Sequence, residues 1–247
     1  MLNLIKYEFR KTWMTKLIIL AITAFAEIAF LITLYTNKEG LNALTILLLV
    51  MLAFGGVLLI GIQSISTMHQ DMNTKQGYML YMTPNSCYKI LGSKVIENGL
   101  SLLVAGAFFF ALGALDITLL FGHSGELNQL REMVTEFMKQ LSLEVQLDGQ
   151  MFAGFTLSFL CSWLGTVVAA YLADVISTCL LSGKKYNTWV SLLFFILLMW
   201  LTGYAQVSLT QNLPIRSVFL WHSLTSLAFA AVMYVATAFL MDRHLSV

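Results

Sequence analysis

Four acidic residues lie in otherwise apolar stretches of this chain and are its most pointed chemical candidates: Glu27, Glu97, Asp116 and Asp174. An acid in a lipid-spanning segment is costly and is often kept for function. Counted along the apolar runs, Glu97 and Asp174 fall near one face of a bilayer and Asp116 near the other. Glu27 alone falls close to the middle, ~15 Å along a helix that starts at residue 17. It is either a contact for a cationic ligand, or a group carried neutral or bonded to a neighbouring helix. His69, His123, His222 and His244 are dispersed, with no His-Glu-x-x-His or paired spacing, so no metal site is expected. Cys87, Cys161 and Cys179 are scattered and make no disulfide framework. There is no Gly-x-Ser-x-Gly elbow, no credible Ser–His pair within one apolar run, and no Gly-x-x-x-x-Gly-Lys-Ser/Thr phosphate loop. No catalytic residue is assigned.

The elements that must position these residues can be read from composition. The 247 residues are 58% hydrophobic and 11% charged, against about 25% charged in a soluble domain. So little charge cannot clothe a compact core, so lipid must solvate much of the chain. The net charge of +1 gives no reason to expect a nucleic-acid partner. A spanning helix takes about 20 apolar residues. Six runs meet that length: 17–36, 43–66, 95–121, 152–181, 189–208 and 218–241. The fourth is long enough to tilt, break or project from the membrane. The expected fold is an all-α integral membrane protein, one domain over 1–247 with six transmembrane helices, the first an uncleaved span. Ten of the 14 Lys and Arg flank the runs on one side, and Lys38, Arg131, Lys139 and Arg216 lie on the other. The basic excess marks the cytoplasmic side, which puts both termini inside.

The segments between the runs have character of their own. In 1–16, Leu2, Ile5, Phe9 and Trp13 recur at helical spacing while Lys6, Arg10 and Lys11 lie off that stripe. This reads as an interfacial helix. In the extracellular loop 122–151, Leu127, Leu130, Val134, Phe137 and Leu141 share one helical face, which fits a lid or a helix resting on the outer leaflet equally. In the inner loop 69–94, Asp71 and Lys75 precede Gly77, and Tyr78-Met79-Leu80-Tyr81 can form a short helix with its aromatics exposed. Thr83-Pro84-Asn85-Ser86 then reads as a stop and restart, because the residue before proline avoids the α region and Asn85 or Ser86 can cap the next helix. A short helix with exposed aromatics suits a groove on a partner protein. Ser158, Ser162, Gly165, Ala169 and Ala173 make a small-residue face on the fourth run, read as helix packing.

The order Asp71, Lys75, Gly77, Leu80, Thr83-Pro84, Ser86, Lys94 between the second and third runs resembles the cytoplasmic loop of type-2 ABC transporter permeases. The opening Lys-Tyr-Glu-Phe-Arg-Lys before the first run is similar to that family's interfacial helix. The resemblance implies a permease subunit of an ATP-driven exporter, multi-pass in a bacterial cell membrane. A second permease subunit and two copies of an ABC ATP-binding subunit would complete it. ATP and Mg would bind the ATPase, and this chain would hold no cofactor. A coupling helix in the 69–94 loop would seat in the ATPase through Asp71, Lys75, Gly77, Tyr78, Leu80, Tyr81, Thr83, Pro84, Ser86 and Tyr88. Ile5, Phe9, Arg10 and Trp13 would belong to the interfacial helix, and Glu27 to the substrate pathway, which spans one, two and five would line. Leu181-Ser182-Gly183-Lys184 lacks the Gly-Gln that would come next in an ABC signature, and is read as a loop. The apolar interior fits an amphipathic or hydrophobic cargo, such as a peptide or peptide antibiotic. The alternatives are an intramembrane protease or lipid-modifying enzyme, which would need convergent Ser/His or paired carboxylates, and a non-transporting scaffold.

Overall fold

A computed structural model describes residues 1–36, 39–73, 86–124, 132, 135–136, 149–181, 186–211 and 215–245. Six long helices carry nearly all of them: α1 Leu2–Tyr35, α2 Glu39–Asn73, α3 Cys87–Ser124, α4 Gly149–Leu181, α5 Asn187–Thr210 and α6 Ile215–Leu245. No strand occurs among the described residues. All six are long and apolar enough to cross a membrane. The chain is a multi-pass membrane protein by that measure. Its two prolines, Pro84 and Pro214, lie outside the described residues.

The helices are longer than the apolar runs within them. They range from 24 residues in α5 to 38 in α3, or ~36–57 Å, against a hydrocarbon core of ~30 Å. Residues 2–16 and the first run form one unbroken helix, α1. The fourth run is likewise unbroken, within a helix of 33 residues. The restart expected after Pro84 begins at Cys87, and the Ser86 carbonyl accepts from Lys89 N at 2.9 Å and Ile90 N at 3.2 Å. Ser86 thus holds the N-cap position. Hydroxyls inside the helices turn back on their own backbone, as with Thr23 Oγ1 to Ile19 O at 2.6 Å, Thr202 to Leu198 O at 2.9 Å and Thr237 to Met233 O at 2.6 Å. That satisfies a donor where lipid offers no acceptor.

The described residues gather into two compact units. The first comprises residues 1–8, 63–99 and 149–247, and α4 is its axis. Every residue from Val167 to Val175 is buried. A helix apolar on all sides is one that other helices enclose, which is why α4 has no polar flank to mark its ends. Tyr171 and Val167 pack with Met68, Leu91, Ala238 and Met241, while Ala169 and Leu172 meet Met233, with Phe195 and Met199 alongside. The small-residue face lies against α6: a Cβ on Gly165 would be 3.7 Å from the Ser226 carbonyl oxygen, and one on Gly154 would be 3.5 Å from Phe219 Cβ. On α5, by contrast, Trp189, Leu193, Ile196, Trp200 and Tyr204 are all more than half exposed. An apolar surface of that extent needs lipid or another protein against it.

The second unit comprises residues 9–62 and 100–148. Ala26, Phe30, Leu34 and Leu49 form its core with Leu120 beside them, and the Thr33 and Thr45 hydroxyls meet at 3.1 Å. Gly56 marks the tightest approach. A Cβ there would come within 3.1 Å of Phe109 and 3.2 Å of Ile19, whereas one on Gly55 would meet nothing within 4 Å. Gly56→Val is therefore expected to destabilise the protein by about 1–3 kcal/mol through overpacking. Gly55→Ala should be neutral, or stabilising by up to ~1 kcal/mol. Unfolding midpoints in one detergent compare the two.

Candidate functional site

Charged residues in the first unit converge from three helices. Lys94 Nζ donates to Glu8 Oε1 at 2.8 Å and to Asp71 Oδ2 at 2.6 Å. The side chains of all three are buried, with 2%, 3% and 7% of their surface exposed. Helical phase explains the meeting. On α1, Glu8 and Thr12 are one turn apart and both buried, while Leu2 and Trp13 face outward. Asp71 lies in the last turn of α2, and Lys94 lies two turns into α3 beside buried Ser93, Glu97 and Asn98. An ammonium between two carboxylates is the arrangement that lets three charges leave water together. Removing one member of a buried pair strands the rest, at a cost of about 3–5 kcal/mol.

Further bonds pin the same region from other helices. His69 Nδ1 and Asp174 Oδ1 lie 2.5 Å apart, with His69 partly exposed and Asp174 buried. Asn187 Nδ2 donates to Thr178 Oγ1 at 3.3 Å, fastening the start of α5 to α4. Tyr171, wholly buried, shares a hydrogen bond with Ser64 across α4 and α2. Trp163 Nε1 donates to Asn98 Oδ1 at 3.0 Å. The Tyr234 hydroxyl donates to the Tyr88 carbonyl at 2.5 Å, with the two rings 6.4 Å apart. Gly92 leaves room for that hydroxyl: a Cβ there would stand 2.9 Å from it and 2.8 Å from Met1 Cε. Both stems of the 74–85 segment, the end of α2 and the start of α3, are therefore held by buried polar contacts.

Of the coupling residues expected from sequence, Asp71 is buried in the ion cluster, Ser86 is exposed at the N-cap, and Tyr88 is 39% exposed. Lys75, Gly77, Tyr78, Leu80, Tyr81, Thr83 and Pro84 lie outside the described residues. Ile5 and Phe9 are half-buried, and Arg10 and Trp13 are exposed. Sequence reasoning counted Lys94 as a marker of topology and Glu8 as part of a motif, and missed that they pair. The available signal was Lys94 and Glu97 sharing a helical face at the head of an apolar run.

Glu27 belongs to the second unit, where its carboxyl lies within hydrogen-bonding reach of Asp116. The sequence-based depths set these two apart, and the structure brings them near one another. Glu27 precedes the end of α1 at Tyr35, and Asp116 the end of α3 at Ser124, by the same eight residues. In the first unit a Ser–His contact also appears that no single run contained. Ser162 Oγ lies 3.1 Å from His222 Nε2 and 3.4 Å from Ser226 Oγ, and Gln206 Nε2 donates to Ser226 Oγ at 2.8 Å. These bonds continue the close α4–α6 packing at Gly165. Among the described residues no three His, Cys, Asp or Glu side chains are grouped to hold a metal ion.

No protein-family model, curated protein or solved structure matches this chain.

Two substitutions test these contacts. Tyr234→Phe leaves the Tyr88 carbonyl without its donor, at a cost of about 0.5–1.5 kcal/mol. Hydrogen exchange should rise in the first turns of α3 and stay unchanged in the second unit. Glu27→Gln keeps a hydrogen-bonding partner for Asp116 and should hold wild-type stability, whereas Glu27→Leu should lose about 1–3 kcal/mol. Equal unfolding midpoints for the two Glu27 variants would show that the pair carries no weight.

Proposed function

We propose that this chain is the permease subunit of an ATP-driven exporter of the type-2 ABC kind, working as a pair and moved by separate ATP-binding subunits. The observation that carries the reading is the convergence of Glu8, Asp71 and Lys94. All three lie in the two stretches of sequence that resemble that family, and their ion cluster ties the start of α1 to both stems of the 74–85 segment. A force on that segment would reach three helices at once through short buried bonds rather than through a slack loop. Six apolar helices agree with the architecture the family resemblance implies. The exposed face of the first turns, with Leu2 and Trp13 outward and Lys6 and Arg10 also exposed, suits a helix start lying against lipid headgroups.

On this reading both termini are cytoplasmic, ATP and Mg bind the partner, and the coupling residues run from Asp71 to Tyr88. The cargo would be amphipathic or hydrophobic, since fixed charges along the helices are few. The broad apolar face of α5 would meet lipid or the second permease copy. A second reading, an intramembrane hydrolase, is favoured by one contact, Ser162 to His222. A nucleophile and base at 3.1 Å meet the distance such chemistry needs. The same oxygen also bonds to Ser226 within the α4–α6 packing, which suits a role in helix association.

Co-purification with a soluble ATP-binding protein, followed by an ATPase assay in lipid, separates the readings. The transporter reading expects Tyr81→Asp to abolish the association while leaving the helices folded. It expects Lys94→Gln to keep the partner bound but to lower transport at least about tenfold, through the loss of both charge-assisted contacts. Purification without an ATPase, together with fluorophosphonate labelling lost in Ser162→Ala, would replace the transporter with the hydrolase.

A further inference from the structure

The second unit contains an elongated groove of about 310 Å³ between α1, α2 and α3. On α1 it extends from Phe9 to Thr23, with Ile60 of α2 and residues from Ser101 to Phe109 of α3 closing it. The fourteen helical steps from Phe9 to Thr23 span ~21 Å, enough to cross one leaflet of a ~30 Å hydrocarbon core. Its volume falls at the small end of the ~300–1,000 Å³ typical of ligand pockets. The walls are aromatic and aliphatic, chiefly Trp13, Leu20, Phe108 and Phe109.

One charge enters this groove, and it stands toward one end. Lys16 Nζ donates to buried Ser101 Oγ at 2.6 Å and lies 4.3 Å from the centroid of the Phe9 ring. Phe9 is two turns before Lys16, so the side chain reaches back toward the N-terminus, as a lysine does when its stem lies in apolar surroundings. Trp13, more than half exposed, stands between them on the same helix, and exposed Arg10 adds positive charge nearby. A cation at the mouth, an aromatic of the kind found at headgroup level, and an apolar channel one leaflet deep match a lipid with an anionic head.

We propose that this groove holds one acyl chain of an anionic phospholipid, drawn from the leaflet that faces the N-terminus, with its phosphate on the Lys16 ammonium. Ser101 fixes the ammonium at the mouth, and a phosphate oxygen adds a charge-assisted bond of the stronger class. The site stands independently of any ATPase partner. A bound chain would fill space between helices that otherwise lacks contact, joining α1 and α3 along their apolar length.

Native mass spectrometry of the full-length protein tests this, using equal amounts of phosphatidylglycerol and phosphatidylcholine with identical chains. The wild type should retain one phosphatidylglycerol about tenfold more than phosphatidylcholine, the size of one charge-assisted contact. Millimolar inorganic phosphate should leave it bound, because the acyl chain supplies much of the affinity. Lys16→Gln should bring the two lipids to parity, while Lys11→Gln, which removes a charge outside the groove lining, should keep the preference. Ala105→Trp fills the groove and should release both lipids. Equal retention of both lipids by the wild type overturns the proposal, as does a preference that survives Lys16→Gln. If Ala105→Trp fails to fold, the comparison of Lys16→Gln with Lys11→Gln decides alone.

Discussion

A lysine buried in an apolar protein must bring its counter-charges with it, and Lys94 brings two. Its ammonium bonds Glu8 and Asp71, and its withdrawal would strand both buried carboxylates. That constraint fixes the rotation of α1, the last turn of α2 and the entry of α3 together. The hydroxyl of Tyr234, the carboxyl of Asp174 and the indole of Trp163 hold the surrounding helices to the same region. Buried polar groups of this kind specify one arrangement more than they stabilise it, since apolar replacements of equal volume often do as well. Here the arrangement they specify joins the end of α2 to the start of α3, on either side of residues 74–85.

The two surfaces of the helices reflect what they touch. α4 is enclosed by protein from Val167 to Val175, and small residues bring its backbone close to α6. α5 is apolar and outward, with Trp200 and Tyr204 stacked on the exposed side. In a membrane, lipid tails are as apolar as leucine, so exposed Leu and Ile cost nothing, and helices associate through close packing and hydrogen bonds instead. The Ser162–His222–Ser226 contacts and the Thr33–Thr45 pair are bonds of that type.

The helical class and the number of apolar helices were legible in the sequence, because uncharged stretches of about 20 residues have few other uses. The restart at Cys87 was legible from Pro84 and Ser86, since both act locally. Helix ends elsewhere were less so. Residues 2–16 continue into the first run, because nothing between Trp13 and Leu17 breaks a helix. Convergence across helices was not legible. Lys94 and Glu8 are 86 positions apart, and their pairing depends on rotations that no single helix records. Glu27 and Asp116, likewise on separate helices, give no sign in the sequence that they meet. Ser162 and His222, on separate helices, escaped a search confined to single runs.

The ion cluster is the claim that most of this account depends on, and a double-mutant cycle measures it. Unfolding free energies would be compared for wild type, Glu8→Gln, Lys94→Gln and the combined variant in one lipid or detergent. Direct pairing in a buried site predicts a coupling energy of about 2 kcal/mol or more between the two positions. A coupling near zero, with the two losses simply additive, would mean that Glu8 and Lys94 do not meet, and the join between α1 and α3 would be lost with them.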